Sequence, residues 1–97
     1  MTPSQPPKIQ LSQTSEYREG YANSVQIRMS LWDFLLLFGT INPTSSETLF
    51  IQNFQGVYLS PQQAKALNNM LQQNISQYEN TFGEIKLEPQ GSGNSIQ

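Results

Sequence analysis

Leu31-Trp32-Asp33-Phe34-Leu35-Leu36-Leu37-Phe38 is the most hydrophobic stretch of a 97-residue chain, and Asp33 is its one polar residue. Read as a strand, it places Trp32, Phe34, Leu36 and Phe38 on one face and Leu31, Leu35 and Leu37 on the other, because strand side chains alternate. Both faces call for burial. Its length and aromatic content favour a strand over a short buried helix, with Gly39 as its end. A single helix covers one face of a small sheet, so the other points to a second copy of the chain or to another protein.

Upstream, Tyr21, Val25, Ile27, Met29 and Leu31 alternate with Ala22, Ser24, Gln26, Arg28 and Ser30. This is the period-two signature of a half-buried antiparallel strand, and a tight connection over Ser30 to Asp33 would pair it with the opening stretch. Asn23 breaks the apolar register as a turn or bulge residue. Asp33 has two readings: a solvated or turn-capping carboxylate at the strand start, or a charge paired with Arg28 or with a second subunit. Ile9-Gln10-Leu11 is read as a short edge strand.

Downstream, Asn42-Pro43-Thr44-Ser45-Ser46 marks a loop within Gly39 to Glu47. Thr48 to Leu59 is again extended, with Leu49, Ile51, Val57 and Leu59 in one register and Phe50, Phe54 and Tyr58 in the other. Gly56 is the expected bulge. Ser60-Pro61-Gln62-Gln63 then opens a helix, with serine as N-cap, proline at N1 and glutamine at the capping-box position. Ala64, Leu67, Leu71, Ile75, Tyr78 and Phe82 recur at helical spacing as one apolar stripe, and Gly83 is the expected stop. Glu84 to Leu87 is read as a terminal strand.

The expected fold is therefore α+β: a small antiparallel sheet of three to four strands, followed by one long C-terminal helix packed on one face. Residues 1–12 are expected to be a flexible N-terminal tail, 13–87 a single domain and 88–97 a flexible C-terminal tail. The folded part buries only about 60% of the surface its unfolded chain exposes, which makes it marginal alone. Cysteine is absent, so disulfides and thiolate sites are excluded, and oligomerisation is the remaining common reinforcement.

Composition also limits the chemistry. Histidine is absent, which removes the usual general base and the commonest metal ligand. The seven acidic residues show no calcium-loop spacing and no helical carboxylate pair. Ser60 beside Lys65 is explained by capping. No enzyme activity, no cofactor and no metal site is expected. Five cations scattered along the chain, at net charge −2, do not form the clustered positive surface that a phosphate backbone requires, so nucleic acid is not an expected partner. No apolar run approaches the roughly 20 residues that span a bilayer, and Met1 to Lys8 has no signal-peptide core; a cytoplasmic, non-membrane protein is expected.

Glu19-Gly20-Tyr21-Ala22-Asn23, the Asp33-Phe34 pair with Phe38, Leu59-Ser60-Pro61 with Ala64, Tyr78-Glu79 and Phe82-Gly83 occur in an order that resembles the domain of unknown function 3467 family of small bacterial and archaeal proteins. The resemblance spans about residues 17 to 85, and Leu37 stands where a polar or acidic residue is expected in many relatives. It implies a fold and boundaries, and no activity that could be assigned to named residues. From the residues themselves the expected role is a homodimeric interaction or assembly module. Leu31, Leu35, Leu37, Phe50, Phe54 and Tyr58 are the candidate interface, and Leu35 and Leu37 are expected to be exposed in an isolated subunit. The alternative is a peptide-binding holdase, by topological analogy with the SecB export chaperone.

Overall fold

In the computed structural model, which describes residues 6–43 and 47–87, the chain forms three strands and a helix: β1 (Ser24–Met29), β2 (Phe34–Pro43), β3 (Leu49–Leu59) and α1 (Pro61–Phe82). The strands make one antiparallel sheet in the order β1-β2-β3. The α+β class and the single 22-residue helix thus agree with the sequence reading. Residues 1–5 and 88–97 of the expected tails, and Thr44 to Ser46 of the expected loop, lie outside the described residues.

The opening stretch divides in two. Met29 pairs with Phe34, so Ser30 to Asp33 form the β1–β2 turn, and Leu31 and Trp32 belong to that turn instead of the strand. Ser30 organises it: its N–H donates to the Asp33 carbonyl at 2.9 Å, and its Oγ accepts from the N–H groups of Trp32 at 3.0 Å and Asp33 at 3.2 Å. Serine competes well for backbone partners in turns, which is why the chain reverses here.

Gly39 does not end β2, which continues to Pro43. Phe38 pairs with Gln55 and Gly39 with Asn53, leaving Phe54 as an extra residue in β3. The bulge therefore sits at Phe54 and not at Gly56. A Cβ on Gly39 would lie 2.5 Å from both the Asn53 Oδ1 and the Gln52 carbonyl oxygen, so glycine is the residue that lets the bulged strand approach. One extra residue exchanges the faces beyond it. Leu49 and Ile51 consequently share a face with Tyr58, whereas Phe50 joins Val57 and Leu59, which reverses the expected grouping.

Two expected strands are absent. Ile9 to Leu11 has no ladder partner, and Ile9 and Leu11 are exposed. At the other end the Ile85 N–H donates to the Glu79 carboxylate at 3.0 Å, which turns residues 84–87 back onto the helix terminus and away from the sheet.

Helix α1 starts and stops where its caps dictate. Ser60 Oγ accepts from the Gln63 N–H at 3.1 Å, Pro61 occupies the first helical position, and the Gly83 N–H donates to the Glu79 carbonyl at 3.0 Å. Gly83 has φ 113°, a conformation that side-chain-bearing residues rarely adopt. The helix meets the sheet at β3. Ala64, Ala66 and Leu67 of its first two turns are half-buried there, and no helical residue is buried. Among the described residues no hydrophobic side chain is buried at all. The radius of gyration is 17.7 Å, against about 12.5 Å for a compact chain of this length.

Candidate functional site

With no buried core, the features that could carry function are the apolar surfaces. Strand pairing sorts the sheet into two faces. The first carries Val25, Ile27 and Met29 of β1, Phe34, Leu36 and Phe38 of β2, and Val57 and Leu59 of β3. None of these is charged. Phe34, Leu36 and Phe38 are half-buried, while Val25, Ile27, Met29 and Val57 are exposed. The second face carries Leu35, Leu37 and Ile41 beside Tyr58, Ile51 and Leu49, with Arg28 and Gln26 on β1.

The six candidate interface residues do not form one patch. Leu35, Leu37 and Tyr58 share the second face, Phe50 lies on the first, and Leu31 stands in the turn. Phe54, the bulged residue, lies against the N-terminal segment: a Cβ on Gly20 would be 3.2 Å from its Cε1. Leu35 and Leu37 are half-buried where exposure was expected. The reason is Gly56, which leaves a space between them: a Cβ there would lie 3.4 Å from Leu37 Cδ2 and 3.5 Å from Leu35 Cδ1. The leucines lean over the glycine and shield one another.

Phe38, Phe54, Gln55 and Val57 floor an open groove of about 930 Å³, and Glu16, Arg18, Glu19, Gly20 and Ala22 wall it on one side. The wall is held by short-range contacts. Tyr17 N–H donates to the Thr14 carbonyl at 3.1 Å, and the Tyr17 hydroxyl donates to the Glu19 carboxylate, a bond that raises the phenol pKa above its ordinary value.

Asp33 and Asn23 resolve toward structure. The Ser30 hydroxyl donates to the Asp33 carboxylate at 3.2 Å, within the turn. Asn23 donates its N–H to the Gly39 carbonyl at 3.1 Å and accepts from the Ile41 N–H at 2.8 Å through its side chain, which prolongs the β1–β2 pairing past the strand end. Nearby, Asn53 reaches over Gly39 to Gln26 at 3.5 Å.

The turn expected over Ser30 to Asp33 forms, but sequence reasoning did not single out Trp32 at its tip. Leu31 is 80% and Trp32 76% exposed, two large apolar groups held out by the Ser30 turn. The apolar run around that turn is what placed Leu31 and Trp32 in the strand as well. The helix stripe is likewise open beyond its second turn: Met70, Leu71, Ile75, Tyr78 and Phe82 are all exposed, with Tyr78 and Phe82 stacked at 4.9 Å between ring centroids. Among the described residues there is no group of three or more potential metal ligands, and no helix is long and apolar enough to cross a membrane.

A three-stranded meander running directly into one amphipathic helix, with large apolar side chains exposed on both, defines a small α+β protein. The chain belongs to the family described as protein of unknown function (DUF3467), whose model matches residues 1–87. No curated protein and no solved structure matches it.

Proposed function

We propose that this chain is a non-enzymatic protein-interaction module that works as a homodimer and serves as an assembly unit for another protein. The observation that carries the reading is the missing core among the described residues: ordered secondary structure whose large apolar side chains are half-buried or exposed. A folded domain is stable by only about 5–15 kcal/mol, and hydrophobic burial is the main favourable term. Without burial inside the subunit, that term has to come from association.

One feature supports a self-complementary partner. The first sheet face and the helix stripe are both uncharged, so two copies approach without repulsion at the contact. Sedimentation equilibrium across nanomolar to micromolar concentrations tests the proposal. The expected result is a dimer whose dissociation coincides with loss of structure. A folded monomer at micromolar concentration would sink it.

A second reading is a holdase for unfolded segments, favoured by the projecting Leu31-Trp32 tip and the open groove. It requires apolar surface still open in the assembled protein. Suppression of client aggregation together with binding of a hydrophobic dye would support it, and absence of both would remove it.

A further inference from the structure

We propose that two copies exchange their helices, the distal half of α1 from each lying on the uncharged first face of the other's sheet. The inference rests on the dimer reading and specifies its geometry.

The hinge supplies the first argument. Only Ser60 separates the end of β3 from the start of α1, whereas strand-to-helix connections usually have about two to six residues. Pro61 further restricts Ser60 to extended backbone, and it is found at φ −66°, ψ 157°. A single extended residue gives the helix no slack to reverse over its own sheet. The helix meets the sheet at β3, and Leu71, Ile75, Tyr78 and Phe82 remain exposed. Short, stiff hinges are the known condition for exchange of an element between identical chains.

Fit supplies the second. The distal half of the helix is about 17 Å long and β1, the shortest strand of the face, is about 20 Å, so the face accommodates it. The stripe and the first face are both apolar and uncharged, and Leu71, Ile75, Tyr78 and Phe82 on the one and Ile27, Met29 and Val57 on the other are exposed, while the N-terminal segment adjoins that face at Phe38, Gln55 and Val57. A two-fold arrangement gives each copy one helix to donate and one face to receive, so the assembly closes at two. The exposed parts of the stripe and of Ile27, Met29 and Val57 amount to roughly 700 Å² per copy, close to the approximately 800 Å² per partner of a standard stable interface.

The absence of cysteine makes the test clean. Chains carrying Ile27→Cys alone and Ile75→Cys alone are mixed, unfolded and refolded together, then treated with a short bis-maleimide. Exchange predicts a covalent heterodimer in the mixture and, in a chain carrying both substitutions, linkage between chains in preference to linkage within one. In parallel, Gly-Ser-Gly is inserted between Leu59 and Ser60, which allows the helix to fold back. The expected result is a shift from dimer to folded monomer, with dimer affinity lowered at least roughly tenfold. A wild-type dimer that links only within the doubly substituted chain, and keeps its affinity after the insertion, overturns exchange and leaves the dimer reading standing. A folded wild-type monomer overturns both.

Discussion

The sheet and the helix of this protein reach the same degree of local order by opposite routes. The sheet is held by non-local pairing: β1 to β2 through a turn organised by Ser30, β2 to β3 across a bulge at Phe54, with Asn23 and Asn53 adding side-chain bonds across strands. The helix is held by itself. Ser60 closes its first turn, and Gly83 and Glu79 close its last. Neither region buries the other. The difference teaches that hydrogen bonding can complete secondary structure in each part separately while, among the described residues, no buried hydrophobic core joins the two.

The comparison breaks most completely if the helix stripe loses its partner. Leu71→Asp is expected to weaken dimerisation by about 100-fold, roughly 3 kcal/mol, and to unfold the protein at micromolar concentration. Analytical ultracentrifugation with circular dichroism reads both. A variant that stays a folded dimer would mean that the stripe faces solvent in the assembly.

On the sheet side, Gly39→Val drives a side chain into Asn53 and the Gln52 carbonyl, where an added Cβ alone already lies at 2.5 Å. The expected loss is about 2–3 kcal/mol, with amide-exchange protection falling in β2 and β3 before α1. Leu37→Asp is milder. It places a carboxylate in the half-buried site beside Gly56, on the face opposite the one that receives the helix, so a stability loss of about 1–2 kcal/mol with unchanged association by light scattering is expected. Weakened association would assign that face to the interface.

Ser60→Ala removes the acceptor for the Gln63 N–H and is expected to lower stability by about 1 kcal/mol in thermal melts. The smallest effect lies outside both regions. Tyr17 donates to Glu19, which raises its pKa above the ordinary 10.0, so the contact is intact below that pH and is lost as pH rises through the raised value. Ultraviolet titration should show one tyrosine ionising late, and Glu19→Ala should return it to the ordinary range.

Element identity was legible because its causes are local. Val25, Ile27 and Met29 alternate within a few residues, and Ser60-Pro61 with Gly83 brackets the helix, so strand and helix could be read from neighbours in the chain. Of the candidate surface, the apolar excess was legible and its layout was not. The fold decided that Leu31 and Trp32 stand in a turn, that the bulge falls at Phe54 opposite Gly39, and that Phe50 therefore parts from Tyr58. A bulge depends on which residue of another strand lies opposite, and no periodicity within one segment contains that information. The fold also decided that Leu31–Phe38 has no buried side. Its composition required cover on two faces. Among the described residues the helix meets the sheet at β3 without burying any hydrophobic side chain, so within the subunit the cover does not form.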